Sequence, residues 1–383
     1  MRFLCFTQFF LPELGGMQVS NSLLVQGLLE AGHSVKLHIF GRTSKTIKEG
    51  SFRQVDHPFS ATDLLGHIQV ANLLIRECRK QRPDLVLLLD EGITRALGMV
   101  PYKVRLPVPV ISVNSGSTAT RRNSHLKGKL NAWFVRRGYA FLHRIFVADA
   151  TAGELEARHP YLASKIRRLG RPIPPQFFAE PHNPPSWPPA SGLPIFMSSG
   201  RASPDKGMDL VLHALAELRE RHGTEKVEYW CVGGGPELVN WQNLAQELQL
   251  SKVKFFGHVN FFELHKYYAQ AHFFILPSRG DMETFGRVWV EALASSKPVI
   301  STRLDNLSSI IYDGENGFFV EPSVEGIATC VSRCLVLTSS EYLKMSQIAH
   351  ETALQYSLSH IVEKLIEGAN LSAPVQQTNK AEF

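Results

Sequence analysis

The sequence predicts an α/β protein of two doubly wound, Rossmann-like domains facing a cleft. Three observations predict it. At 383 residues the chain is long for one core, and domains of roughly 100–200 residues make two the natural division. Short continuous apolar runs alternate with helical stretches in both halves, as parallel strands buried on both faces do. Between the halves, Gly170 to Gly192 holds eight prolines and is read as a linker region, because proline removes backbone donors and restrains its neighbours.

The first half opens with a strand over Phe3–Phe10. A loop carrying Gly15-Gly16 follows, then a helix from about Met17 to Glu30. Val19, Leu23, Val25, Leu28 and Leu29 give that helix its apolar side, and Gly32 ends it. The next strand is Ser34–Phe40, completing a βαβ unit and so a parallel pair. Further apolar runs stand at Leu85–Leu89, Val108–Val113 and Arg144–Ala148. In the second half the strands are Leu193–Ser199, Val227–Val232, Val253–Phe256, Phe273–Leu276 and Pro298–Ser301. Helices are expected at Met208–His222, Phe262–Ala271 and Val288–Ser295. The expected division is 1–178 for an N-terminal domain and 179–355 for a C-terminal domain. A helix over 356–371 follows, then a flexible tail at 372–383.

An apolar fraction of 44% with 20% charged residues fits a soluble globular protein. No run of 18 apolar residues predicts a spanning helix. The apolar start reads as a buried strand, because Gln8 interrupts it and no small-residue cleavage site follows. Five scattered cysteines suit reduced thiols in a cytoplasmic protein. The net charge of +6 is uneven: the stretch between Glu91 and Asp149 has ten basic residues and no acidic one, so the rest of the chain sums to −4. That asymmetry points to an anionic surface or substrate near this part.

In a doubly wound sheet, ligands sit outside the carboxyl ends of the strands. Four loops are expected there: Gly15-Gly16, Gly200–Gly207, Gly233–Glu237 and Arg279–Gly286. Arg201 and Lys206 bracket the second loop. An Arg fork and a Lys point charge suit a diphosphate, although a solvated turn with a salt bridge fits the same residues. Gly233-Gly234-Gly235 is not a dinucleotide fingerprint, because Leu238 stands where its last glycine is required. Glu283 precedes Gly286, and Glu291 lies eight positions further on. Carboxylates pair with sugar and ribose hydroxyls, but each acid alone could be a solvated charge or a helix cap.

Together these blocks resemble the large retaining glycosyltransferase family 4, which has the GT-B fold. The resemblance runs over nearly the whole chain. It rests on Pro12 with Gly15-Gly16, on Gly32-His33-Ser34-Val35, and on Gly200-Arg201 with Lys206-Gly207. It continues through Val232–Glu237, Phe256-Gly257-His258-Val259, and the stretch from Pro277 to Ile300 that is similar to the E-x7-E signature. The resemblance implies that Glu283 faces the donor sugar, with backbone N–H groups near Thr284, Phe285 and Gly286, and that Glu291 holds the ribose. Arg201 and Lys206 would bind the diphosphate and stabilise the leaving group. Gly15, Gly16 and Gly233 would approach the donor, and the base would lie near His258 and Val259. It implies a UDP- or GDP-sugar as donor substrate, with no further cofactor and no metal. It also implies that the helix Ser357–Ala369 crosses back to the first domain. Two departures stand out. The family's histidine after the strand Val108–Val113 is replaced by Asn114 or Ser115, which become possible sugar contacts. Its Asn-Gly before the linker is replaced by Gly170-Arg171.

The expected function is hexosyl transfer with retention, from a nucleotide-diphosphate sugar to a glycan or lipid-linked acceptor in cell-surface polysaccharide synthesis. A sugar-nucleotide epimerase and a non-catalytic sugar-nucleotide-binding protein are the alternatives. Leu126, Leu130, Trp133 and Phe134 form an apolar helical stripe flanked by Lys127, Lys129 and Arg136. The basic segment 121–144 is therefore a candidate for contact with an anionic membrane, placing the protein in the cytoplasm or peripherally on the membrane's inner face. The other reading is a helix packed on the core with a solvated basic face. No nucleic-acid motif accompanies the charge.

Overall fold

The computed structural model describes residues 1–12, 15–101, 104, 106–113, 126–178, 184–279 and 285–369, with the backbone alone at 126, 127, 149 and 150. The chain divides into two compact units: Met1–Pro172 together with the chain from Leu358, and Ile173–Ser357.

The first unit is built on β1 (Arg2–Thr7), α1 (Gly16–Glu30), β2 (Ser34–Phe40), β3 (Thr46–Glu49), β4 (Phe52–His57), α2 (Leu64–Gln81) and β5 (Leu85–Leu88). It continues with α3 (Glu91–Gly98), β6 (Val110–Val113), α4 (Leu126–Phe141), β7 (Arg144–Val147), α5 (Asp149–Arg158) and β8 (Ile166–Arg168). Its eight strands lie in the order β3-β4-β2-β1-β5-β6-β7-β8, and only β3 is antiparallel to its neighbour. β1 stops at Thr7, short of the expected Phe10, because Phe9 N–H donates to Thr7 Oγ1, which in turn donates to Phe9 O, and this local loop turns the chain out of the sheet. Leu4, Phe6, Val86, Leu88, Ile93, Leu97 and Val110 fill the core under α2 and α3. Asp63 and Asp90 cap those two helices through Gly66 N–H and Ile93 N–H.

α4 leaves part of its apolar stripe outside the core. Ala132, Val135 and Tyr139 face the core, as does Leu142 just beyond the helix, whereas Leu130 and Trp133 are 53% and 37% exposed. The reason is backbone contact: a Cβ on Gly98 would lie 1.9 Å from Phe134 O, and one on Gly138 2.1 Å from Thr94 O. The two glycines set which side of α4 meets α3.

The second unit comprises β9 (Ile195–Ser199), α6 (Met208–His222), β10 (Glu228–Val232), α7 (Leu238–Glu247), β11 (Val253–Gly257), α8 (Leu264–Gln270), β12 (Phe273–Leu276) and α9 (Arg287–Ala294). β13 (Val299–Thr302), β14 (Gly317–Val320), α10 (Val324–Leu335) and α11 (Ser339–Leu354) complete it. The six strands are all parallel, in the order β11-β10-β9-β12-β13-β14. Strand order reverses at β9, so the crevice of a doubly wound sheet falls beyond the carboxyl ends of β9 and β12. The expected helix at Phe262–Ala271 starts as a 3-10 turn, with Asn260 Oδ1 accepting from Phe262 N–H, and α8 follows.

The proline-rich stretch is more than a linker. Trp187 is 6% exposed, stacks on Tyr342 at 5.0 Å, meets Phe273 edge-on at 5.2 Å and donates from Nε1 to Leu337 O at 2.9 Å. After α11, α12 (Leu358–Gly368) belongs to the first unit and packs on α1, where Gly27 leaves room for Leu358 and Val362. Among the described residues no helix is long and apolar enough to cross a membrane. All five cysteines are free and buried.

Candidate functional site

Three loops of the second unit are knitted together at the carboxyl ends of β9, β10 and β12. Gly200 N–H donates to Val232 O, Ala202 N–H to Gly234 O, and Glu237 N–H returns to Ala202 O. The glycines permit this approach. Gly233 has φ +133° and a Cβ there would lie 1.8 Å from Gly200 O, while one on Gly235 would lie 2.4 Å from Ala202 O. Gly207, in the left-handed region at φ +67°, presses on Pro277 O in the same way, at 2.1 Å. On that side Arg279 N–H and Ser278 Oγ both donate to Asp205 O, at 2.7 and 3.0 Å, and Arg279 pairs with Asp209 at 2.7 Å.

Within this frame Arg201 is exposed. Lys206 lies 3.6 Å from Asp205 with its side chain only 16% exposed. Burial lowers the Lys206 pKa, and Asp205 opposes that shift. A guanidinium and an ammonium on one loop suit an anion with several oxygens, such as a diphosphate. His258 is exposed beside the same turn, its Cβ 3.5 Å from where a side chain on Gly234 would start. Val259 is half-buried next to it.

Glu291 sits differently. It is 2% exposed, receives Arg287 Nε at 2.8 Å, and lies beside the Tyr268 hydroxyl. Tyr268 in turn hydrogen-bonds Ser199 Oγ at the end of β9 and donates to Val288 O at 3.2 Å. Burial raises the Glu291 pKa while Arg287 and Tyr268 pull it back. Burial leaves this carboxylate little open surface for a ligand hydroxyl. Arg287 also lies over the Phe261 ring, 4.7 Å from its centroid. Gly286, at φ +79°, precedes α9, and Phe285 packs edge-on against Tyr356 at 5.5 Å.

The structure thus brings Arg201, Lys206, Gly233, His258 and Val259 to one end of the sheet, with Glu291 wired to it through Tyr268. Gly15 and Gly16 stand at the start of α1 in the first unit. Gly15 is extended, and a Cβ on Gly16 would meet nothing within 4 Å. Glu283, Thr284, Asn114, Ser115 and residues 121–125 lie outside the described residues. Sequence reasoning missed Tyr268, Asp209 and the Arg279 clasp. Arg287 was within reach, since an Arg four residues before Glu291 on one helix face is an i,i+4 pair.

Residues 180–351 match the family model described as glycosyl transferases group 1. The chain is 33% identical over 149 residues to the GDP-mannose-dependent alpha-(1-6)-phosphatidylinositol monomannoside mannosyltransferase of Mycolicibacterium smegmatis, which is 37% of this chain and 38% of that protein. It is 30% identical over 177 residues to the lipopolysaccharide core biosynthesis glycosyltransferase LpsE of Rhizobium meliloti, 45% and 49% of the two lengths. The chain thus spans less than half the length of such curated relatives. In three dimensions it is similar to the sucrose-phosphate synthase of Thermosynechococcus elongatus, with TM-score 0.72, 16% identity, and 96% and 97% of the two chains covered. It is also similar to Anabaena HepE in complex with UDP and glucose, with TM-score 0.67, 16% identity, and 96% and 98% covered. The fold is GT-B, with two Rossmann-like units on parallel sheets.

Proposed function

We propose that the protein is a retaining glycosyltransferase of family 4, moving a hexose from a UDP- or GDP-sugar to a glycan or lipid-linked acceptor in cell-surface polysaccharide synthesis. The observation that carries the reading is the glycine-permitted frame of Gly200–Gly207, Gly233–Gly235 and Pro277, with Arg201 exposed and Lys206 at its edge. Arg201 and Lys206 hold the diphosphate and offset charge on the leaving nucleotide. The released diphosphate oxygen takes the acceptor's proton as the acceptor attacks from the same face. Glu283, with Thr284 and Gly286, orients the sugar, and Asn114 or Ser115 takes the place of a family histidine. His258 and Val259 flank the base. Glu291 meets the ribose after Arg287 swings off it. The reaction needs no divalent metal, so turnover persists in EDTA.

Several observations support this reading: the match over residues 180–351, the named activities of the relatives, and the UDP and glucose held by HepE. The test is a panel of UDP- and GDP-sugars incubated with the chain. Release of nucleoside diphosphate, abolished in Arg201→Ala, supports transfer. A new sugar epimer, or binding without turnover, would replace this reading with an epimerase or a binding protein.

The acceptor side includes an anionic membrane, met by α4. Leu130 and Trp133 are exposed there, Lys129 is exposed beside them, and the Arg137 guanidinium lies 5.4 Å from the Trp133 ring centroid. An exposed apolar pair within a basic surface is how an interfacial helix seats itself. Flotation with anionic vesicles tests it, and absence of salt-sensitive binding would remove the membrane from the reading.

A further inference from the structure

The first unit has a cavity, and it lies at the other end of its sheet from the Gly15-Gly16 turn. Topology creates it. β2 and β4 are parallel neighbours, yet the chain between them forms the edge strand β3 instead of a crossover helix. Over β2 and β4 the cavity on this face is lined by the C-terminal half of α2, through Leu73, Arg76, Glu77, Lys80 and Gln81. Register shows what that leaves. Leu4 and Phe6 of β1 pair with Lys36 and His38 of β2, and these pair with Arg53 and Val55 of β4. Along this face, apolar Leu4 and Phe6 give way to Lys36 and Arg53 among His38 and Val55, around a cavity of about 610 Å³. That volume is within the range of small-molecule sites, roughly 300–1,000 Å³.

The charges lining it are one-sided: Arg2, Lys36, Arg53, Arg76 and Lys80 against one carboxylate, Glu77. Two of the cations are engaged. Lys36 pairs with Glu77, and Arg2 pairs with Asp84. Arg53, Arg76 and Lys80 are exposed and have no ion pair or hydrogen bond among the described residues. In the wall, His38 is 2% exposed and shares a 2.8 Å hydrogen bond with His57. Its buried Nε2 has no hydrogen-bond partner, and the nearest carboxylate oxygen, Glu77 Oε2, is 3.8 Å away. Burial foremost, then Lys36, His57, Arg53 and Arg76, lower the His38 pKa to about 2, so the ring is neutral. Like charges lining one cavity repel one another, and among the described lining residues Glu77 is the one carboxylate set against them. An orphaned buried imidazole nitrogen also costs stability. A bound anion carrying hydroxyls answers both.

We propose that this cavity binds a small phosphorylated ligand, its phosphate held by Arg53, Arg76 and Lys80 and its polar body directed to Lys36, Glu77 and the His38–His57 pair. The recognised chemistry is a phosphate dianion on a body the size of a monosaccharide. A soluble sugar phosphate or a lipid phosphate headgroup could supply it.

The experiment is calorimetric titration of the full chain with a hexose 6-phosphate, pyrophosphate and the unphosphorylated hexose, alongside sedimentation with vesicles of phosphatidic acid in phosphatidylcholine. Each is repeated with Arg53→Glu/Arg76→Glu and with Arg201→Ala/Lys206→Ala. Both altered cavity residues are exposed, and circular dichroism verifies the fold. Saturable, salt-sensitive binding of a phosphorylated probe, weakened about tenfold or more by Arg53→Glu/Arg76→Glu, is expected. Such binding survives Arg201→Ala/Lys206→Ala, which separates it from the donor loops whatever becomes of the transferase reading. The same loss seen with vesicles alone assigns the phosphate to a lipid headgroup. If no phosphorylated probe binds, or if Arg53→Glu/Arg76→Glu leaves the affinity intact, the proposal is overturned.

Discussion

At Gly233 a single missing side chain holds two loops together. With φ at +133° and Gly200 O 1.8 Å from where a Cβ would be, alanine must push the Gly200–Gly207 loop away. Gly233→Ala should cost about 2–3 kcal/mol in urea denaturation and remove nucleotide binding along with it. A variant that keeps both would show that the loop contact is incidental. Lys297 makes a different residue-scale case. It is 2% exposed, its ammonium donates to Ala269 O at 3.1 Å, and burial pushes its pKa down to about 7. The folded-state value lies below the unfolded one, so the unfolded chain binds more protons between about pH 7 and pH 10, and stability rises with pH through that window. The contribution is lost as pH falls through the folded value, where the fold carries a buried charge. Lys297→Met should reduce the slope, most near pH 7–8, and raise stability at pH 6 by about 1–3 kcal/mol. Urea titrations at pH 6 and pH 9 check both the sign and the slope.

At the scale of elements, what was legible followed the strength of the pattern. Ser34–Phe40, Met208–His222 and Phe273–Leu276 match the observed bounds of β2, α6 and β12, because buried strands and a capped amphipathic helix write continuous signals. The β3–β4 pair and α2 were not read. β4 alternates Arg53, Val55 and His57 on a face with no covering crossover helix, so its polar residues disguise a strand. The loops of the candidate site were legible from Gly, Arg and Lys spacing. Tyr268 and Asp209 were not, since both reach the site only through tertiary packing. On α4, the apolar stripe was legible but the side it faces was not, because backbone contacts at Gly98 and Gly138 decided that. This yields a paired prediction. Gly138→Val, whose Cβ would start 2.1 Å from Thr94 O, should destabilise the protein by about 2–3 kcal/mol. Trp133→Ser, on the opposite face, should change stability by less than about 0.5 kcal/mol and reduce flotation with anionic vesicles. Equal effects of the two on stability would return Trp133 to the core.

At the scale of the whole molecule, two cores share one chain that leaves the first unit near Pro172 and re-enters it at Leu358. The first unit is therefore incomplete until the last helix is made. Leu358, Ile361, Val362 and Leu365 are all buried in it, and Gly27 on α1 has Leu358 and Val362 where a side chain would begin. Removing residues 358–383 strips that apolar surface from α1 while leaving Ile173–Ser357 whole. Calorimetry of the truncated chain should then show the first unit melting at lower temperature or not cooperatively, with the second unit's transition unmoved. Ligand linkage assigns the transitions: a nucleoside diphosphate that binds Arg201 and Lys206 stabilises the unit carrying them by RT ln(1 + [L]/Kd), about 2.7 kcal/mol at a hundredfold excess over Kd. That ligand should raise the retained transition in the truncated chain and in the full chain alike. If instead truncation erases the nucleotide shift, the donor loops are not a self-sufficient binding frame, and the reading of the second unit as the nucleotide-holding half fails with it.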